Sequence, residues 1–296
     1  MIVYIDGKFL PETEAKVSVL DRSFMYGDGV FETMLLFNFS IFRWREHIDR
    51  LLQGARFLRI NTQINFNELY KSAIELAKRN NMPKGLLRLQ LTRGVGLRGY
   101  STRGANQPSL IMTIHPMPVV DFNEPPEWTA IQSNYLIPAG NPLFNYKSCN
   151  KLINILAKQE ADVFQFDEAI LVNTDGEVCS CSGANIFYVK AGYVLTPPIE
   201  CGALPGITRQ TVFELCRKLG IHFGENIIRP QELLDTDGVF LTLTSWGIVN
   251  LTSINGKTIF KSEIAEILHK NYWQLVMEET ENISHLEQDI RPTGAS

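Results

Sequence analysis

Four clusters in this chain carry side chains whose types and spacing suit chemistry. The first is Leu204-Pro205-Gly206-Ile207-Thr208-Arg209. Gly206 permits a tight turn, and the segment runs straight into a helical pattern. The amides of Ile207 and Thr208 would then stand at a helix N-terminus, where the dipole favours an anion such as a phosphate. The plainer reading is a capped helix that binds nothing, because Thr is a good cap. The second cluster is Thr242-Leu243-Thr244-Ser245, hydroxyls at the end of a core-like strand that are either turn formers or phosphate ligands. The third is His47-Ile48-Asp49-Arg50 on an amphipathic helix. Arg50 there is a snorkelling surface residue or a fork aimed at a phosphate. The fourth is Lys147, between Leu143-Phe144-Asn145-Tyr146 and Ser148-Cys149-Asn150. An apolar flank lowers a lysine pKa and suits the amine to imine chemistry with a carbonyl. On these residues alone a solvated loop lysine is the simpler explanation. Gly94-Val95-Gly96-Leu97-Arg98-Gly99 has the glycine count of a dinucleotide loop, but the next element reads as a strand and not as a long helix. The chain has no HExxH, Walker, GxSxG or EF-hand pattern.

The apolar pattern sets out the elements that must hold these clusters. Ile2 to Ile5, the Asp6-Gly7 turn and Phe9-Leu10 read as a hairpin. Val30 to Phe37 with Ser40 to Arg43 reads as a second. Ile48, Leu51, Leu52, Ala55 and Leu58 share one face of a helix beginning near Arg45. Asn67 to Asn80 reads as another, with Leu69, Ala73, Leu76 and Ala77 inward. Strands follow at Gly85 to Arg93 and Ser109 to His115. Four prolines between Pro116 and Pro126 fit neither helix nor central strand and mark a linker. Beyond it, Trp128 to Asn134, Ala169 to Asn173, Asn185 to Val189 and Val239 to Thr244 read as strands. Asn150 to Val163 reads as a helix with Leu152, Ile155 and Leu156 inward. Thr208 to Leu219 is a helix closed by Gly220, with Val212, Leu215, Cys216 and Leu219 as its buried stripe. A last helix covers about Lys261 to Glu278. The expected organisation is a small N-terminal α+β domain over 1–115, a linker over 116–127, a larger C-terminal domain over 128–288 and a mobile tail over 289–296.

Composition narrows the class. The chain has 296 residues, 45% hydrophobic and 20% charged, and a net charge of −4. That is long enough for two domains and lacks the basic excess of a dedicated nucleic-acid binder. The opening residues carry no basic start and no long apolar core, so a secretory signal is not expected. The longest uncharged stretch, Gly238 to Gly256, holds too many polar groups for a bilayer span. Five cysteines, Cys149, Cys179, Cys181, Cys201 and Cys216, form no CxxC pair. Reduced thiols in a cytoplasmic protein are expected, with no disulfide framework and no metal site.

Taken together the segments resemble the class IV aminotransferases, the fold type IV family of pyridoxal-phosphate enzymes. This family includes branched-chain aminotransferases, D-amino acid aminotransferases and 4-amino-4-deoxychorismate lyases. The resemblance rests on Asp21 to Thr33, His47 to Leu51, Thr92-Arg93-Gly94, Lys147 to Asn150, Asn185-Ile186-Phe187 and Leu204 to Arg209, in the family's order. It implies a two-domain α+β and α/β fold whose larger domain holds a β-barrel-like sheet. It implies pyridoxal 5′-phosphate as cofactor. Lys147 would hold the cofactor aldehyde and carry a proton between the substrate Cα and the cofactor. Arg50, the amides of Ile207 and Thr208, Thr244 and Ser245 would bind the phosphate. Tyr26, Phe31, Arg88 and Arg98 would meet the substrate. A homodimer is implied as well, with the Arg98 loop reaching the neighbour's site, and small-molecule substrates are implied without nucleic acid or membrane partners.

Two departures bear on activity. Family members keep a glutamate five positions before the Asn of Asn-Ile-Phe, where it pairs with the cofactor's ring nitrogen, and here that position is Ser180. Glu177 lies three residues away, about 10 Å along a strand and on the opposite face. A hydroxyl cannot pair as a charge with a pyridinium. Gly247 stands where relatives often have glutamate. Three readings follow. The first is an aminotransferase acting on an amino acid and a 2-oxo acid. The second is 4-amino-4-deoxychorismate lyase, motivated by the run from Arg93 to Ser101 and by Asn141-Pro142 ahead of Lys147. The third is a cofactor-binding protein with weak or no catalysis, motivated by Ser180 and Gly247.

Overall fold

The computed structural model describes residues 1–62 and 64–286, and the expected mobile tail at 289–296 lies outside them. The chain divides into two compact units, Met1–Met117 with Gln274 onward, and Pro118–Trp273. The break at Met117 falls inside the proline-rich segment.

In the first unit the hairpin strands β1 (Ile2–Ile5) and β2 (Lys8–Pro11) precede a short helix α1 (Arg22–Tyr26), whose N-terminus Asp21 caps by accepting from Ser23 N at 2.8 Å. Then come β3 (Gly29–Phe37), β4 (Ser40–Ile41), α2 (Trp44–Phe57), α3 (Phe66–Arg79), β5 (Gly85–Thr92) and β6 (Ser109–His115). The sheet order is β2-β1-β6-β5-β3-β4, antiparallel throughout. Period-two alternation gives the sheet two unlike faces. Val30, Met34, Leu87, Leu89, Leu91, Met112 and Ile114 form one core with Ile48, Leu51 and Ala55 of α2 and Leu69, Ala73, Leu76 and Ala77 of α3. Phe31, Thr33, Arg88, Gln90, Ile111 and Thr113 point the other way and stay only half-buried.

The second unit begins with β7 (Glu127–Gln132), α4 (Leu152–Val163), β8 (Glu168–Val172), β9 (Val178–Cys181), β10 (Asn185–Lys190) and β11 (Tyr193–Thr196). It continues through α5 (Ile207–Leu219), β12 (Phe223–Glu225), β13 (Gly238–Leu243), β14 (Gly247–Ile254), β15 (Lys257–Thr258) and α6 (Glu263–Leu286). The order is β12-β11-β10-β13-β14-β7-β8-β9, with β15 beside β14. β7 runs parallel to both neighbours, β14 and β8. The terminal strand β9 returns to β10, where Cys181 N donates to Ala184 O at 2.8 Å, so the sheet curls into a partial barrel.

Several expectations need correction. On α4 the inward residues are Ile153, Ala157 and Ala161, whereas Leu152 and Ile155 are 61% and 60% exposed. Large apolar residues mark that helix's outer side, and small alanines let its inner side approach β8. On α5 Val212, Leu215 and Cys216 are buried but Leu219 is exposed next to the cap, where Gly220 takes φ +69°. β9 and β14 carry buried polar residues, Ser180 and Asn250, which mask their strand pattern. The last helix runs on past Glu278 and passes into the first unit at Gln274, where Glu279 pairs with Arg43 Nη2 at 2.8 Å.

All five cysteines are free. Burial pushes the thiols of Cys179, Cys201 and Cys216 up to about 12 and also raises that of Cys181 well above the ordinary thiol range, so these four stay protonated. Among the described residues no cluster of His, Cys, Asp and Glu could hold a metal ion, and no helix is long and apolar enough to cross a membrane.

Candidate active site

In the second unit Lys147 follows a 3-10 turn, Pro142–Asn145, that Asn141 caps by accepting from Leu143 N at 3.0 Å. Asn145 then reaches across the chain. Its Nδ2 donates to Ile199 O at 2.7 Å and to Ala203 O at 3.0 Å. Phe144 packs against the cluster of Leu171, Cys179 and Cys201. Lys147 is therefore two residues beyond an anchor in segment 199–203. The same segment ties in β9, because Cys179 Sγ donates to Cys201 O at 2.7 Å. Ser180 comes next on β9, opposite Leu171, where the register shifts by a bulge. It is 9% exposed, and its hydroxyl makes no hydrogen bond among the described residues. Glu177 is held elsewhere, accepting from Asn173 Nδ2 at 2.9 Å and from Cys201 Sγ at 3.3 Å.

Beyond Ala203 the segment turns through Leu204 to Gly206 into α5. Asn185 Nδ2 holds the turn by donating to Leu204 O at 2.9 Å. A Cβ on Gly206 would stand 2.0 Å from Asn185 Oδ1, so a side chain there would have to push Asn185 aside. Gly206 caps α5 with no side-chain acceptor, which leaves the first amides, those of Ile207 and Thr208 among them, as donors seeking a partner. Thr242 is the cross-strand partner of Asn185 and so shares its face of the sheet. Its Oγ1 is buried and has no hydrogen-bond partner. Thr244 and Ser245 follow in the turn to β14, half-buried. An uncapped helix start beside an orphaned buried hydroxyl and two further hydroxyls is a chemical fit for a phosphate. Arg209 is not part of it. It donates to Glu225 Oε1 at 2.5 Å and to Pro197 O at 3.3 Å. Gly247 has a local cause, because its φ is +70° and a Cβ would lie 2.8 Å from the Tyr272 ring.

The remaining expected residues lie in the first unit. Phe31 and Arg88 meet on the half-buried sheet face, the guanidinium 4.1 Å from the ring centroid. Tyr26 ends α1, and its hydroxyl accepts from Gly99 N at 2.9 Å. Arg98 is exposed on the loop after β5. Arg50 on α2 is buried against Glu32 of β3, with Nε to Oε1 at 2.7 Å and Nη2 to Oε2 at 2.6 Å. His47 Nδ1 joins Glu32 Oε2 at 2.8 Å. Burial would raise the Glu32 carboxyl, but Arg50 and His47 outweigh it and hold it at about 2. The carboxylate thus stays ionised and fixes the plane of the Arg50 guanidinium.

Sequence reasoning takes Glu32 only as part of a transaminase-like Phe31-Glu32-Thr33 run, without its ion pair, and misses two further buried polar clusters. Glu32 sits at an inward position between Val30 and Met34, which is the signal that it needs a buried cation. Arg22 and Arg93 share Asp28, with Nε distances of 2.8 Å and 2.7 Å. Glu168 accepts from Ser182 N and Gly183 N, each at 3.2 Å, and from the Ser182 hydroxyl, pinning the turn between β9 and β10; burial nonetheless raises its pKa.

Comparison with known proteins bears on this arrangement. A family model described as amino-transferase class IV matches residues 29–254. A putative branched-chain-amino-acid aminotransferase of Methanocaldococcus jannaschii is 35% identical over 271 residues, covering 91% of this chain and 93% of that one. A D-alanine aminotransferase of Bacillus licheniformis is 32% identical, covering 88% and 90%. The solved branched-chain aminotransferase of Thermoproteus uzoniensis, crystallised with norvaline, superposes with TM-score 0.87 at 30% identity over 95% of this chain and 96% of that one. A putative 4-amino-4-deoxychorismate lyase of Legionella pneumophila gives TM-score 0.80 at 28% identity over 87% and 94%.

Proposed function

The chain belongs to the class IV aminotransferases, and we propose that it moves an amino group between an amino acid and a 2-oxo acid using pyridoxal 5′-phosphate held in the second unit. The observation that carries this reading is the tie between the segment that bears Lys147 and the segment that leads into α5, made by Asn145 on Ile199 O and Ala203 O. It supports an amine and an anion cradle acting on one molecule. When bound, the cofactor supplies the aldehyde that takes up the amino group and the π system that draws electrons from the substrate Cα.

The chain's own residues then orient and move protons. Lys147 would hold the cofactor aldehyde through its Nζ, and the same amine would serve as the base for the proton on the substrate Cα. The Ile207 and Thr208 amides, with Thr242, Thr244 and Ser245, hold the phosphate. Arg50 of the first unit, oriented by Glu32, would present a fixed guanidinium to an anion. Ser180 offers a hydroxyl in place of a carboxylate at the ring nitrogen. Phe31 gives the substrate an apolar wall, Arg88 and Arg98 offer cations to carboxylates, and Tyr26 lines the same side. The names of the relatives point to branched-chain or D-amino acids as donors. We also infer a homodimer in the cytoplasm. Exposed Phe24, Leu97 and Tyr100 and the outer stripe of α4, Leu152, Ile155 and Val163, support the dimer, which light scattering would test.

The direct experiment is a half-reaction. The purified, cofactor-loaded protein is mixed with L- and D-forms of valine, leucine, alanine and glutamate, and the visible band is followed. Conversion to the pyridoxamine form with at least one donor is expected, as is borohydride trapping of the label on Lys147. No conversion with any of them, or a label on another residue, would overturn the reading. The run Arg93 to Ser101 favours a second reading, 4-amino-4-deoxychorismate lyase. Pyruvate release from aminodeoxychorismate by loaded protein that fails every half-reaction would establish it.

A further inference from the structure

Arg22 is 3% exposed, yet no step above uses it. Three consecutive carbonyls converge on its guanidinium. Nη1 donates to Gly99 O at 2.9 Å and Ser101 O at 3.1 Å, and Nη2 reaches Tyr100 O at 3.4 Å. Nε donates to Asp28 Oδ2 at 2.8 Å. Asp28 is in turn gripped by Arg93, through Nε at 2.7 Å and Nη2 at 2.9 Å, so the carboxylate stays ionised between two cations. Cζ of Arg22 also lies 5.0 Å from the centroid of the Tyr26 ring. The backbone makes room for this group. A Cβ on Gly96 would stand 2.7 Å from Arg22 Cδ, and Gly99 takes φ +107°. Successive carbonyl dipoles repel when turned on one point, and a buried cation is what reverses that balance. The loop is thereby anchored through its backbone while its side chains point outward: Tyr100 is 90% exposed and Arg98 is exposed.

We propose that Arg22 is a positioning residue. By gathering the carbonyls of 99–101 it fixes Arg98, and with it the Tyr26 ring, in the attitude that meets a substrate carboxylate. The proposal rests on the assignment of Arg98 to that carboxylate and adds the group that sets its place.

The test compares cofactor-loaded wild type, Arg22→Gln, Arg22→Lys and Arg98→Gln. Trypsin cleavage at the Arg98–Gly99 bond, mapped by mass, reads the loop without requiring turnover. KM and kcat for the best donor of the panel read the site. Arg22→Gln is expected to speed cleavage and raise KM, each about tenfold, the size of one charge-assisted hydrogen bond, with kcat and the cofactor band retained. Arg22→Lys keeps the charge beside Asp28 with fewer donors and should fall between; it carries the test if Arg22→Gln does not fold. Arg98→Gln should match the KM change. If both Arg22 variants keep wild-type cleavage and KM while Arg98→Gln raises KM, the positioning role is overturned and the Arg98 assignment stands. If Arg98→Gln leaves KM unchanged, the assignment fails and the positioning role with it.

Discussion

Glu32 is the residue where electrostatics and packing are most tightly joined. It is fully buried and held at about 2 by Arg50 and His47, against an ordinary value of 4.5. A depressed carboxyl contributes stability above its unfolded pKa and loses it as pH falls through the folded one. Glu32 should therefore contribute about 3 kcal/mol above pH 4.5, lost progressively toward pH 2. Glu32→Gln is expected to lower the urea-derived stability at pH 7 by about 3 kcal/mol, because the Arg50 charge loses its partner. At pH 3 the gap between variant and wild type should narrow. Ser180 poses the opposite case, a missing charge. Ser180→Glu should place a carboxylate at a buried position, lowering Tm without cofactor. Loaded with cofactor, it should recover Tm and speed Cα proton loss about ten- to a hundredfold, followed by the visible band. An unchanged rate would mean that position 180 does not touch the ring nitrogen. Ser180 was legible as a departure only beside the family pattern. Lys147 likewise emerged by resemblance, because an apolar flank is a weak signal and its anchor, Asn145 on residues 199 and 203, is long-range.

At the scale of elements, the α5 turn shows why a glycine is required where the backbone itself is unstrained. Gly206 has φ −69°, so the objection to a side chain is wholly steric. Gly206→Ala must displace Asn185 and release Leu204 O. It is expected to weaken pyridoxal 5′-phosphate binding at least about tenfold and to leave binding of phosphate-free pyridoxal unchanged, both read by fluorescence titration. Equal loss for both ligands would remove the phosphate from this helix end. Gly247 differs, because its φ of +70° and the Tyr272 ring both exclude a side chain. Gly247→Glu should cost about 2 kcal/mol or more in urea unfolding, because the new residue must adopt a positive φ and displace the Tyr272 ring. The α5 start was readable because glycine, threonine and the helical period coincide in one short run. The face of α4 was not, because apolar residues lie on two sides and only the neighbouring strand decides which side is covered.

On the scale of the whole chain, the strands of the first sheet were legible because they alternate cleanly, although β1 pairs with the distant β6. The second was harder to read. β7 finds its partner β14 more than a hundred residues away, and Asn250 and Ser180 sit in strands where apolar residues are expected. One buried group links the proline-rich segment to this unit. His269 of α6 has Nδ1 at 2.9 Å from Ile248 O and Nε2 at 2.8 Å from Asp121 O. Burial lowers its pKa although both carbonyls pull it up. The unfolded chain then takes up a proton more readily, so stability falls as pH drops below about 6.5, the ordinary histidine value. His269→Gln keeps a donor and removes the titration, and it should flatten the acid limb of urea unfolding between pH 7 and 5. An unaltered slope would assign that limb to other groups. The parallel seat of β7 also orders events at the ribosome. A nascent chain that has emerged through His115 already carries every strand of its first sheet. Its next strand, β7, gains β8 on one edge once Val172 has emerged, but its other edge stays unpaired until β14 is translated, which makes the interval between β8 and β14 the stretch of synthesis at which a chaperone would have most to hold.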